Sequence, residues 1–83
     1  MEHELKCWPE YFGAILSGKK QFEVRLNDRD FKAGDTLKLL EFDPISKQYT
    51  GRCEIRVVSY IMRDSDLFGL SALQPGYVIM SIG

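Results

Sequence analysis

The sequence predicts a mainly β domain of the α+β class, in which five or six strands close into a small barrel and one short helix follows the first strand. Three observations carry this reading. Apolar and polar residues alternate with period 2 in several short segments spread along the chain. Apolar residues at helical spacing occur clearly in one early segment, at Phe12, Ile15 and Leu16. Finally, five or six strands in 83 residues leave more edges than an open sheet can protect, and a single helix is too little for a doubly wound sheet.

The elements follow in order. From His3 to Trp8, Leu5 and Cys7 alternate with Glu4, Lys6 and Trp8, which reads as a strand. Pro9 suits the first turn of a helix, where its missing N–H costs nothing. Glu10 is favourable near the positive end of the helix dipole. Residues 9–17 form the helix, and Gly18 ends it in a left-handed conformation. A charged strand spans residues 20–26. From Asp28 to Asp35 there is no apolar periodicity: Phe31 stands alone and Ala33-Gly34-Asp35 signals a turn. Thr36 to Phe42 is a strand whose alternation breaks at Leu39-Leu40, the sign of a bulge or of burial on both faces. Tyr49-Thr50-Gly51 starts a strand or turns, and Cys53 to Met62 alternates, with Cys53, Ile55, Val57 and Ile61 on one side. A short helical turn is expected near residues 67–73, and Tyr77 to Ile82 is the last strand.

The whole chain, residues 1–83, makes one domain and buries roughly 60–65% of its unfolded surface. Eleven basic and twelve acidic side chains give a net charge of −1, without the basic excess of proteins that grip duplex DNA through many phosphates. A nucleic-acid contact is therefore expected to be a local patch covering a few nucleotides. Cys7 and Cys53 have no second Cys or His at ligand spacing, so no metal and no cofactor are expected, and both read as reduced, half-buried strand residues of a cytoplasmic protein. Apolar runs are far shorter than the roughly 18 residues a membrane span needs, and no signal peptide is evident.

The densest chemistry lies between Gly18 and Asp30, where seven of thirteen side chains are charged. Phe22, Val24 and Leu26 share one strand face, and Gln21, Glu23 and Arg25 the other, which alternation alone makes the outer face. Lys20, Glu23 and Arg25 fall within six residues and can hold an anion and do acid–base work. Gly18, Lys20, Glu23 and Arg25 also satisfy G-x-K-x-x-E-x-R, and here the chain resembles the ASCH domains of the PUA-like superfamily. It is similar to a short bacterial and phage branch, a domain of unknown function, at His3-Glu4-Leu5-Lys6, Asn27-Asp28-Arg29-Asp30-Phe31, Gly34-Asp35, Tyr49-Thr50-Gly51-Arg52 and Gly76-Tyr77-Val78-Ile79. The resemblance implies a PUA-like pseudo-barrel, a cleft lined by the motif, and a ligand that is RNA or a nucleotide. Some ASCH members resemble this chain at Lys20 and Arg25 and are amidohydrolases that remove an acyl group from cytidine, as in N4-acetylcytidine. They carry Thr where this chain has Glu23, and the distant Glu they use has no clear match here.

Each candidate has a plainer alternative. Lys20 binds phosphate or serves as a base, or is a solvated strand-start lysine. Arg25 holds a phosphate in a bidentate grip and Glu23 accepts from a base edge or orients a water, or the two form an exposed salt bridge. Glu23 paired with Lys20 or Arg25 inside the cleft is a third arrangement. If the protein is an enzyme, Lys20 and Glu23 are its catalytic pair. Arg29 and Lys6 extend a basic rim, while Asn27 and Asp28 form a turn and Asp35 caps one. His3 is a candidate ligand contact as the single histidine. Trp8, Tyr11 and Tyr49 stack on a base or pack, with Trp8 the foremost stacking candidate. The expected function is RNA or nucleotide binding. The alternatives are an amidohydrolase on an acylated nucleoside and a protein–protein module. The oligomeric state is left open.

Overall fold

Burial in β1 (Glu2–Cys7) follows its alternation: His3, Leu5 and Cys7 are buried, and Glu2, Glu4 and Lys6 face out. This is a computed structural model, and it describes residues 1–63 and 75–83; the helical turn expected near residues 67–73 lies outside them. Pro9 opens α1 (Pro9–Leu16), which lays Phe12 and Ile15 into the core. Leu16, expected on the same stripe, is 44% exposed, because it sits about 100° past Ile15 around the helix. The Ser17 N–H donates to Gly13 O, that of Gly18 to Ile15 O and that of Lys20 to Ala14 O, at 3.0–3.1 Å. Gly18 takes φ 79°, a left-handed conformation that glycine enters without Cβ strain. This reversal delivers Lys20 to the start of β2 (Phe22–Leu26).

The remaining strands are β3 (Thr36–Asp43), β4 (Gln48–Val57), β5 (Tyr60–Arg63) and β6 (Tyr77–Ser81). They form two three-stranded sheets, ordered β1-β3-β4 and β2-β6-β5. Among the described residues only β1 and β3 pair in parallel, and the crossover that such a pair requires carries α1 and β2. The architecture is thus mainly β with one short helix, as expected, but the described strands do not close into a barrel. Between β1 and β2 no backbone ladder forms among the described residues.

The bulge expected at Leu39-Leu40 occurs as a register shift between Leu40 and Phe42. The long strand expected from Cys53 to Met62 is instead two strands in different sheets. The chain leaves the first sheet at Val58, whose N–H donates to Asp35 O and whose carbonyl accepts from Gly34 N–H, and joins the second at Ser59, bonded to Ser81. Val58 takes the core position, leaving Ile55 and Val57 about half exposed and Cys53 exposed rather than half-buried. The turn between β2 and β3 is held by Asn27, whose Oδ1 accepts the Phe31 N–H at 2.8 Å, so that Phe31 enters the core. One cluster joins both sheets and the helix, with Leu5, Phe12, Leu37, Leu39, Val78 and Met80 among its members. No helix of the described residues is long and apolar enough to cross a membrane.

Candidate ligand-binding cleft

β2 is inverted relative to the reading from alternation. Phe22, Val24 and Leu26 are 42–48% exposed, whereas Glu23 is only 3% exposed. The charged face looks inward. Burying a carboxylate is costly unless charged donors meet it, and here two do. Lys20 Nζ donates to Glu23 Oε1 at 2.9 Å, and Arg25 Nε donates to Oε2 at 2.8 Å. Of the three arrangements open to Glu23, the structure has the one in which it pairs with both cations. The Lys20 ammonium also lies 5.1 Å from the Tyr11 ring centre and 5.4 Å from that of Phe22, within cation–π range.

A cleft of about 700 Å³ opens over this group, within the ~300–1,000 Å³ typical of small-molecule sites. Lys20, Glu23 and Arg25 line it, together with Lys6, Cys7 and Trp8 at the end of β1. Tyr11, Val24 and Tyr77 complete the lining. Trp8 and Tyr11 are about half exposed, with ring centres 6.3 Å apart and planes 19° from parallel. Guanidinium groups from β2 and the segment after it reach the carbonyls of β1. Arg25 Nη2 donates to Lys6 O at 2.7 Å, and Arg29 Nη1 to Glu4 O at 2.6 Å. Of the rim expected from Arg29 and Lys6, Lys6 lines the cleft, whereas Arg29 lies on the neighbouring grooves.

Residues 2–82 match the family described as "Domain of unknown function (DUF3850)". The chain belongs to this family. It is also 37% identical over 79 residues to an uncharacterized 12.9 kDa protein in the GpA 3′ region of Escherichia phage P2, a match covering 94% of this chain and 64% of that protein. The chain thus spans just under two thirds of the relative's length.

Within the DUF3850 domain, His3 is not brought to the cleft. Its Nε2–H donates to Asp35 Oδ2 at 2.8 Å, and its ring meets the Phe31 edge at 4.8 Å between centres. Being in phase with Leu5 and Cys7, it is buried with them. Asp35 does cap its turn, accepting the Lys32 N–H at 3.1 Å. The His3 hydrogen bond, helped by those from Lys32 and the Met1 amino group, pulls the Asp35 pKa down to about 2. Tyr49 lies outside the main cleft, on a neighbouring groove.

The DUF3850 cleft contains three residues that the sequence does not single out as site residues, Cys7, Val24 and Tyr77. Burial pushes the Cys7 thiol up, and the Glu23 charge adds to that, so Cys7 is an inert wall rather than a thiolate nucleophile. Glu41, beside Cys7 in the β1–β3 register, is also buried. It accepts from Thr50 Oγ1 at 2.6 Å, and Arg52 Nη1 lies 3.7 Å from the same oxygen. Its period-2 phase with Leu37 and Leu39 was the available signal. Among the described residues, no three His, Cys, Asp or Glu side chains group so as to hold a metal ion.

Proposed function

We propose that this DUF3850 domain is an ASCH-like, PUA-like module that binds one splayed-out nucleotide of an RNA in the cleft over Lys20, Glu23 and Arg25. The inward-facing charge of β2 carries the reading. An isolated stabilising ion pair gains little from burial, but a buried carboxylate held between two cations at the mouth of a cleft is a preorganised polar site. Arg25 has three N–H groups beyond those given to Glu23 and Lys6, enough to grip a phosphate. Lys20 adds the second cation, and Glu23 presents carboxylate lone pairs to the exocyclic amine of a base. Trp8 and Tyr11 offer half-exposed aromatic faces, the usual platform for an unstacked base. A net charge of −1 suits recognition of one nucleotide better than that of a long duplex.

The test is titration of the protein with 5′-mononucleotides, acylated cytidines included, followed by chemical-shift mapping and product detection. Shifts clustered at Lys20, Glu23, Arg25 and Trp8, lost in Lys20→Ala and Arg25→Ala, support the binding module. Binding unchanged in both variants overturns the site. The Lys20–Glu23 hydrogen bond of 2.9 Å also has the form of a base with its carboxylate partner. Turnover of N4-acetylcytidine abolished in Lys20→Ala would replace the binding reading with an amidohydrolase.

A further inference from the structure

A second groove, of about 330 Å³, lies against the first and shares Lys6 and Arg25 with it. Its other walls include Arg29, Leu40 and Tyr49. Arg25 and Arg29 also line a third hollow of about 190 Å³, together with Asp28, so the two arginines are shared between neighbouring hollows. Arg29 and Lys6 have no carboxylate partner among the described residues. Arg29 is held through Nη1 on the Glu4 carbonyl, which leaves four of its five N–H groups for a ligand. Lys6 rests its ammonium 4.4 Å from the Phe42 ring centre and 5.9 Å from that of Tyr49. The one carboxylate in the groove, Glu4, lies 3.8 Å from Lys38. Tyr49 is 54% exposed and fixed edge-on against Phe42, with ring centres 5.1 Å apart. The groove thus combines guanidinium and ammonium donors with a fixed aromatic face.

We infer that this groove is a second nucleotide subsite, in which Arg29 and Lys6 hold the phosphate, and Tyr49 stacks the base, of the residue adjoining the one in the main cleft. The inference rests on the nucleotide-binding reading and deepens it: the ligand class is a single-stranded oligonucleotide, not a free nucleoside. An acidic peptide would use the cations but not the ring. A single strand uses both, since stacking tolerates any base. The shared Arg25 places the two subsites side by side, as adjacent nucleotides of one strand require.

The test compares the four 5′-mononucleotides with the four RNA homopentamers on the full chain, in wild type, Arg29→Gln and Tyr49→Leu, with Lys20→Ala as the cleft control and thermal melts as folding controls. Tyr49→Leu leaves the β1 carbonyl contacts intact, so it remains informative if Arg29→Gln is poorly folded. In wild type the preferred pentamer is expected to bind about tenfold tighter than its mononucleotide, from one added stack and its phosphate. Both variants are expected to lose that advantage while binding the mononucleotide as wild type does. The salt dependence of pentamer binding should fall by about 0.7 in log–log slope in Arg29→Gln, as for one phosphate contact on a single strand. Retention of the full pentamer advantage in both variants overturns the second subsite and leaves the cleft reading standing. Pentamer binding sensitive to Arg29 and Tyr49 but indifferent to Lys20→Ala supports the groove and overturns the cleft. Tighter binding of a glutamate-rich peptide than of any pentamer, unaffected by Tyr49→Leu, overturns the nucleotide assignment of the groove.

Discussion

Glu23→Gln is the substitution that tests the inverted strand most directly. Gln preserves the shape of the side chain but removes the charge that Lys20 and Arg25 meet at 2.9 and 2.8 Å. Removing one partner of a fully buried pair costs about 3–5 kcal/mol, whereas exposed pairs contribute about 0–1 kcal/mol. Glu23 is buried, but the Lys20 and Arg25 side chains are 20% and 27% exposed. Water therefore reaches the cations, and the expected loss falls to about 2–3 kcal/mol. In a domain of this size each kcal/mol moves the melting temperature by about 4–8 °C, so the Tm should drop by about 10–20 °C. The variant should stay folded at room temperature, since total stability for such a chain is about 4–12 kcal/mol. Circular dichroism melts read the effect. Lys20→Met alone and in combination with Glu23→Gln completes a double-mutant cycle with an expected coupling of about 1–2 kcal/mol. A Tm within about 3 °C of wild type, corresponding to well under 1 kcal/mol, would refute the reasoning: Glu23 would then be effectively solvated and its inward placement would carry no weight.

Three further predictions concern other parts of the fold. Asp35 has its pKa lowered from 3.8 to about 2, so its contribution to stability is present above pH ~4 and is lost as the pH falls towards 2; the Tm gap between wild type and Asp35→Asn should shrink across that interval. Gly13 lies inside α1 with open space where a Cβ would sit, whereas Gly18 has the same open space but φ 79°; Gly13→Ala should stabilise by about 0.5–1 kcal/mol and Gly18→Ala destabilise by about 1–2 kcal/mol in urea titrations. Cys53 is exposed and Cys7 buried, so a thiol reagent should label one cysteine rapidly in the native protein and the second only on unfolding, with Cys53→Ser removing the rapid phase.

Local physics made much of this molecule legible. Alternation placed β1, Pro9 and Gly18 bracketed α1, and the doubled leucine at Leu39-Leu40 marked the bulge near Leu40. Alternation separates two faces of a strand but does not say which one looks inward, so by itself it leaves the inward face of β2 open. Its charged face turns in because Lys20 and Arg25 meet Glu23 there, a tertiary fact that overrides the usual order of burial. Val58 was likewise invisible, since a chain that changes sheets keeps its β character on both sides of the corner. The motif at Lys20, Glu23 and Arg25 did mark the cleft residues, but Cys7 and Tyr77 reach it only through the packing of distant strands. His3 stands out as the single histidine, but its phase with Leu5 and Cys7 points to the core.

The contacts of Arg25 and Arg29 with the Lys6 and Glu4 carbonyls have a bearing on how the protein behaves in concentrated solution. An uncovered strand edge is a template on which a second chain can add. Here the outward carbonyls of β1 are stoppered by guanidinium groups, which occupy the acceptors and present positive charge to any approaching strand. Truncating either arginine frees an acceptor and removes a repulsive charge at once, so self-association is the expected failure of such variants. A loss of binding in Arg25→Ala therefore has to be read together with its state of aggregation, because the residue that would grip a ligand also keeps copies of the chain apart.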